Sequence, residues 1–294
     1  MLAHMYPLQD FIDTTLSNIN NRKEVIENNP ALVHHIYQYF QVVYPRQDTN
    51  PSMTFKLKIN QLSDWTDEER DALHTKLNVK PLNQRPAQSR DDTVVPPEYD
   101  WTNQTRVPGA VTPVKDQRHC DSCYAFGVVG ALEKTYAEIY KESGLLSPQE
   151  LIDCSGQGGC DGGDFVPSFH YIKRNHYRLN LEKDYPSTLD GKQQKCQKRD
   201  GVRLSSNSSR TLKYEQIPDG DEEYMKKIVY ERGLVYISFN CGERKGNDTI
   251  LREVSDKFDH YASGIFDVPG CPAYRNLNHA PVVVGYGTEN GIDY

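Results

Sequence analysis

The chain has 294 residues, which is enough for a sizeable core, and its hydrophobic fraction of 37% is low but foldable. The net charge is -7, both signs are mixed along the sequence, and no basic patch stands out, so nucleic acid is not an expected partner. No apolar run approaches the length that spans a membrane, so no membrane span is expected.

The first third of the sequence indicates helices followed by a linker. Apolar residues recur at helical spacing between about residues 8 and 42, and alternation from Phe55 to Leu62 predicts a short strand. Thr66, followed by Glu at the third position, predicts a capped helix start. Residues 80–97 have the Pro-, Gln- and Ser-rich composition of a linker, which predicts a boundary near residue 94.

After the linker, helices come first and strands later. Residues 122–140 have the pattern of a long helix, and residues 147–150 predict a second helix start, with a capping Ser and a Glu that closes the capping box. A third helix is predicted over 221–231. The runs 234–239 and 281–286 are strand-like. This order predicts an α+β fold with two lobes.

The cysteines divide the chain in two. All seven lie between Cys120 and Cys271, so the two parts are expected to have different roles, and an odd number leaves at least one thiol outside any intramolecular disulfide set. Glycosylation sequons begin at Asn103, Asn207 and Asn247. Together these features favour a secretory or lysosomal route, although the N-terminus shows no apolar signal core.

The segment from Gln117 to Phe126 carries the strongest chemical signal. Cys123 opens the predicted long helix, where unpaired N–H groups and the helix dipole stabilise a thiolate. A nucleophilic thiolate needs an imidazole, and His279 stands beside a strand-like run far downstream. Three other interpretations stay open on these residues alone: a redox pair of Cys120 with Cys123, a zinc site that adds Cys154 and Cys160, or purely structural cysteines.

This segment resembles the catalytic motif of papain-like cysteine proteases, in particular the cathepsin L-like ones. Further segments resemble the family in its own order: Pro97 to Trp101, Gly109 to Gln117, Leu145 to Cys154, Gly159 to Gly163, Asn278 to Ala280 and Val284 to Gly287. The resemblance covers roughly residues 95 to 294. The run Asn60-Gln61-Leu62-Ser63-Asp64 is similar to the inhibitory motif of the family's propeptide.

The resemblance implies a two-lobe papain-like fold, with a helical left lobe and a β-barrel-like right lobe, behind a helical inhibitory propeptide. Residues 1–94 would be the propeptide, including the linker 80–94, and residues 95–294 the peptidase domain, expected to be incomplete at its C-terminus. An independent helical domain is the alternative for the N-terminal part. The family also implies a monomer that needs no cofactor or metal.

Individual roles follow from the resemblance. Cys123 would be the nucleophile, His279 its partner, and Gln117 a donor to the oxyanion hole. The remaining assignments are substrate binding by Gly163, Asp164, Phe165, Asp121 and Ala280, and disulfides that join Cys120 to Cys160 and Cys154 to Cys196. Cys271 would pair beyond the end of this chain, and Cys241 would be a buried thiol or pair with Cys271.

Several positions depart from the family. Asp121 replaces a glycine and is expected to crowd the substrate and to raise the pKa of Cys123, and Pro281 interrupts a strand after His279. The Asn that should orient the imidazole is not found, so weak or no activity is expected of the chain as written. The sequence thus predicts a cysteine endopeptidase zymogen that forms an acyl-enzyme with protein or peptide substrates. The alternative is a non-catalytic homologue that binds proteins or peptides.

Overall fold

The structure is a computed structural model. It describes residues 53–58, 60, 62–63, 65–74, 77, 94–103, 106–188, 191–197, 200–205, 212–270 and 277–294. The helices predicted over residues 8 to 42 and most of the linker lie outside these residues. No helix among the described residues has the length and apolar character to cross a membrane.

Six α-helices lie in the described part of the chain. They are α1 (Asp67–Asp71), α2 (Cys123–Tyr140), α3 (Pro148–Cys154), α4 (Phe165–Arg174), α5 (Glu222–Glu231) and α6 (Thr249–Asp259). The strands are β1 (Phe55–Leu57), β2 (Tyr99–Asp100), β3 (Arg178–Leu179), β4 (Val202–Arg203), β5 (Val235–Tyr236), β6 (Tyr261–Gly264), β7 (Val282–Val283), β8 (Gly285–Tyr286), β9 (Thr288–Glu289) and β10 (Ile292–Asp293). This mixture of helices and sheets confirms the predicted α+β class.

The strands pair in five antiparallel couples: β1 with β6, β2 with β8, β3 with β4, β5 with β7, and β9 with β10. By its contacts the chain divides into two compact units. One contains the described residues up to Ala72 and the segment from Cys241 to Gly270, and the other contains Leu73–Asn240 and the C-terminal residues from Leu277 on.

The smaller unit is built on a strand pair and a charged cluster. Phe55 and Leu57 of β1 pair with Gly264 and Tyr261 of β6, and Phe55 is buried. The guanidinium of Arg244 is buried among four carboxylates, those of Asp67, Asp71, Asp256 and Asp259. Because a buried charge needs such partners, this cluster ties α1 and α6 together.

The capping box predicted at Thr66 is confirmed, since its hydroxyl accepts from the Glu69 N–H and the Glu69 carboxylate accepts from the Thr66 N–H. The box predicted at Ser147 is wrong in one half. Ser147 caps α3 as expected, but the Glu150 carboxylate binds the Tyr171 hydroxyl and the backbone and side-chain N–H groups of Asn180. The Ser147 N–H, which the second half of the box would have used, instead donates to the Asn180 carbonyl at 2.9 Å.

In the larger unit, α2 is the central helix. Its buried residues join a core with α3 and α4, and it ends where Lys141 adopts a left-handed conformation with φ 60°. A second core surrounds Trp101, whose indole N–H donates to the Val229 carbonyl at 2.7 Å. The runs predicted as strands over 234–239 and 281–286 form strand ladders of only two residues each, β5, β7 and β8.

Candidate active site

Cys123 is the first residue of α2 and is only 2% exposed. The Cys120–Cys160 disulfide and the backbone bond from Asp121 N to Cys160 O, 3.2 Å long, fix the chain just before the helix. Burial, and then the negative charge of Asp121, raise the pKa of Cys123 to about 12, while the N–H groups of Ala280, Tyr124 and Cys123 itself lower it. The thiol is therefore protonated in this state, and the predicted effect of Asp121 on it has the expected direction.

His279 lies at this same place in the fold. It forms an antiparallel bridge with Phe239, with N–H to O distances of 3.0 and 3.1 Å, and the two rings are 5.7 Å apart. The next residue is Ala280, whose N–H interacts with the Cys123 thiol. Pro281 precedes β7 and accepts a bond from Ile237 N instead of donating one, so the strand tolerates it.

Leu73, His74 and Leu77 contact residues of this site. The Gln117 side chain donates to the Leu73 carbonyl at 3.2 Å and to the Cys120 carbonyl at 3.1 Å. The ring of His74 meets the ring of His279 edge to face at 5.1 Å. The Leu77 N–H donates to the Leu277 carbonyl at 2.9 Å, and its side chain belongs to the same buried cluster as Cys123. These contacts could not be predicted from the sequence, because they depend on tertiary packing.

Gly163 and the two residues after it begin α4. A Cβ on Gly163 would come within 2.7 Å of the Tyr124 ring, so this glycine allows a close approach to α2. The Asp164 carboxylate caps α4 by accepting from Phe165 N. Burial raises the pKa of Asp164. Asp121 is 1% exposed and bridged to Asp161, so its side chain is enclosed in this state.

The predicted disulfides Cys120–Cys160 and Cys154–Cys196 are confirmed. With these four sulfurs bonded in pairs, neither the redox pair nor the zinc site suggested by spacing can form. Cys241 is a buried thiol, and Cys271 lies outside the described residues. Of the sequon residues, Asn103 and Asn247 are exposed, and Asn207 lies outside the described part of the chain.

Sequence reasoning missed Tyr236. Its ring centroid lies 5.2 Å from that of Phe165. The ring also packs against Gly127, one helical turn after Cys123, where a Cβ would collide with it. The only available signal was the glycine itself, since a glycine inside a helix often marks a close approach.

Comparison with known proteins places this geometry in context. The family model described as "Papain family cysteine protease" matches residues 95–294. Germination-specific cysteine protease 1 of Arabidopsis thaliana is 32% identical over 94% of this chain and 69% of its own length. Cathepsin L of Sarcophaga peregrina is 37% identical over 68% of this chain, which spans only 53% of that relative. Cathepsin S of Bos taurus is 34% identical over 82% of this chain and 67% of its own length.

Solved precursor structures resemble the whole arrangement. Digestive procathepsin L 3 of the Tenebrio molitor larval midgut has a TM-score of 0.68 and 26% identity, and covers 91% of this chain and 81% of its own. A recombinant stem bromelain precursor has a TM-score of 0.68 and 25% identity, and covers 91% of this chain and 80% of its own. These likenesses confirm the predicted papain-like fold with a propeptide.

Proposed function

Because the chain belongs to the papain family of cysteine proteases, we propose that it is the zymogen of a cysteine endopeptidase whose catalytic residues are Cys123, His279 and Gln117. The observation that supports the proposal is the meeting of three elements: Cys123 on the first turn of α2, Ala280 beside its thiol, and Leu73 and His74 in contact with Gln117 and His279. A nucleophile, a base and a built-in cover thus lie in one site.

The chemistry follows from these positions. His279 takes the proton of the Cys123 thiol, and the thiolate attacks the carbonyl carbon of a peptide bond. The negative charge that develops on the carbonyl oxygen is stabilised by the Gln117 side-chain N–H and the Cys123 backbone N–H. His279 then gives its proton to the departing amine. Water hydrolyses the resulting thioester, which releases the acyl product and restores the thiol.

The contacts of Leu73, His74 and Leu77 support an inhibitory role for the N-terminal part. The Leu73 carbonyl occupies the Gln117 donor that a substrate oxygen would use, and Cys123 is buried with a pKa of about 12, so the nucleophile is inactive in this state. Removal of residues 1–94 would open the site and let the thiol approach the pKa it needs. We expect the cut in the linker near Arg90 to Val95, favoured by acid, and the mature part to begin near residue 95.

We further propose that substrate contacts come from Gly163, Asp164, Phe165, Asp121 and Ala280, and that the protein is a monomer. The two disulfides and the sequons at Asn103, Asn207 and Asn247 support an oxidising, glycosylating route. A lysosomal or secreted glycoprotein fits these features.

The experiment is a labelling assay after acid treatment. An active-site-directed electrophile should modify Cys123 rapidly, and mass spectrometry should find the label there and the new N-terminus near residue 95. Cys123→Ala should abolish labelling, and His279→Ala should slow it strongly while the fold is kept. Rapid peptide binding without labelling or turnover would instead identify a non-catalytic, peptide-binding homologue.

A further inference from the structure

Tyr236 occupies a space that Gly127 leaves open beside the nucleophile. Cys123 and Gly127 are four residues apart on α2 and therefore lie on one face of the helix. A Cβ at Gly127 would come within 2.9 Å of two carbons of the Tyr236 ring and 2.8 Å of the Ala280 carbonyl oxygen. The ring and the Ala280 carbonyl therefore both lie against α2 at Gly127.

The hydroxyl of Tyr236 is buried and makes no hydrogen bond of ordinary geometry among the described residues, although the Ser238 hydroxyl is near enough to influence its pKa. Burial first, and then the charges of Cys123 and Asp164, raise the pKa of Tyr236, so its hydroxyl lies in the field of both groups. Buried phenol hydroxyls normally have a partner.

Asp164 is the second polar group without a full set of partners. One carboxylate oxygen caps α4 through Phe165 N, but no cation pairs with the carboxylate within the described ranges. Burial raises the pKa of Asp164 and the Phe165 N–H lowers it, with burial the larger cause, so the charged form is only partly compensated. A cation placed beside it would remove that cost.

Apolar groups surround these polar atoms. Leu77, Cys123 and Ala280 belong to one buried cluster, against which the partly buried rings of Phe165 and Tyr236 pack. Leu77 supplies aliphatic surface to this cluster. It offers neither a donor to the Asp164 carboxylate nor a hydrogen bond to the Tyr236 hydroxyl.

We propose that Tyr236 and Asp164 form the polar end of the substrate pocket next to Cys123, and that this pocket selects a basic side chain. The inference rests on the proposed peptidase function and names its substrate class. The methylene stem of a lysine or arginine would lie along the apolar surface of Phe165 and Ala280. Its cationic end would donate to the Tyr236 oxygen and the Asp164 carboxylate.

The test uses the processed enzyme and peptides that differ at one of the three residues before the scissile bond. At each position, kcat/KM is compared for lysine and for norleucine, which has the same stem without the charge. At one position we expect lysine to exceed norleucine by about tenfold or more, since a hydrogen bond to a charged group contributes about 1.5–3 kcal/mol. Tyr236→Phe and Asp164→Asn, which keeps the helix cap, should each lower the lysine-to-norleucine ratio of kcat/KM.

Tyr214→Phe is the matched control, because Tyr214 also packs on the Phe165 ring, at 5.1 Å, yet it is 41% exposed. It should leave the ratio unchanged. The proposal is overturned if norleucine equals lysine at every position, or if neither pocket variant changes the ratio. Binding of the same peptides to processed Cys123→Ala protein is measured in parallel. A lysine preference in binding without any turnover by the unmutated enzyme would uphold the pocket and reject the peptidase.

Discussion

The side-chain nitrogen of Gln117 lies 3.2 Å from the carbonyl oxygen of Leu73, a residue of the N-terminal part. A backbone carbonyl of the same chain thus occupies the donor that we assign to the substrate. In the processed enzyme, Gln117→Ala should reduce kcat by roughly 100- to 1000-fold, the usual effect of losing one oxyanion donor. Steady-state hydrolysis of a peptide amide measures this.

The control for that change is Gln194→Ala, since Gln194 is exposed. It should leave kcat unchanged. Alkylation of Cys123 by iodoacetamide should be similar in both variants, because that reaction develops no oxyanion. A Gln117→Ala enzyme with full turnover would remove Gln117 from the catalytic group.

Replacing Asp121 should increase the reactivity of the Cys123 thiol. Its charge is the second cause, after burial, of the raised pKa of Cys123, so Asp121→Asn should lower that pKa and increase the thiolate fraction. In the intact chain at fixed pH, we expect alkylation of Cys123 to become roughly tenfold faster, the effect of about one pKa unit. The pH dependence of the alkylation rate, followed by mass spectrometry, gives the shift directly.

Asp161→Asn is the matched control for this experiment. Asp161 is bridged to Asp121 through the backbone, but its side chain is exposed. An exposed carboxylate is screened by water, so its removal should change the rate little. Equal rates for Asp121→Asn and the unmutated chain would contradict the electrostatic role of Asp121.

His260 should make the smaller unit sensitive to acid. The residue is fully buried, and burial lowers its pKa to about 4, with Arg70 and Arg244 acting in the same direction and Asp259 and the Asp256 carbonyl opposing them. An unfolded histidine titrates near its ordinary value, so between that value and about 4 the unfolded chain binds the extra proton. Stability is therefore lost as the pH falls through this window, by up to about 3 kcal/mol.

Urea unfolding of the intact chain at pH 7 and pH 4.5 measures the loss. His260→Gln, which can still donate to the Asp256 carbonyl, should show a smaller fall in stability between the two pH values. His170→Gln is the control, because His170 is exposed and should leave the pH dependence as it was. If all three chains lose the same stability on acidification, His260 does not sense the pH.

Glu133 should be the most sensitive carboxylate of α2. It is fully buried and binds the Thr112 hydroxyl, the Lys115 ammonium at 2.6 Å and the Leu146 N–H at 2.9 Å. Glu133→Ala removes the acceptor of the Thr112 hydroxyl and the Leu146 N–H and leaves the Lys115 ammonium with the Thr112 oxygen but without its carboxylate, so we expect a loss of about 3 kcal/mol in the free energy of unfolding. Denaturant titration checks the value.

Glu138 gives the comparison on the same helix. Glu138 pairs with Lys134 at 2.6 Å, and the Glu138 side chain is 42% exposed. Glu138→Ala should therefore lower the free energy of unfolding by less than about 1 kcal/mol. Similar losses for the two variants would mean that burial does not decide the contribution of these carboxylates.

Local signals predicted the helix starts well. Ser147 caps α3, Asp221 caps α5 and Thr66 closes its box with Glu69, because each of these bonds joins residues close in sequence. The helix that begins at Cys123 was predicted from the apolar pattern of residues 122–140, and Ser122 makes no side-chain capping bond there. The disulfide pairs came from the family resemblance, since spacing alone left several pairings open.

Long-range partners could not be predicted in this way. The Glu150 carboxylate accepts from Asn180 and Tyr171 and not from the predicted capping-box donor, the Ser147 N–H. Phe55 pairs with Gly264, a residue far along the chain. The polar end of the proposed pocket, formed by Tyr236 and Asp164, belongs to the same class, because strand β5 and the start of α4 meet only in the folded chain.

The pairing of β1 with β6 has a consequence for the processed protein. All four residues of β6 are exposed, and in the precursor its backbone bonds are made to a segment that processing would remove. The mature enzyme would then carry β6, Tyr261–Gly264, as a strand without its partner, able to pair with an extended peptide. Maturation would therefore open a site for self-association or strand addition at the same time as it opens the cleft.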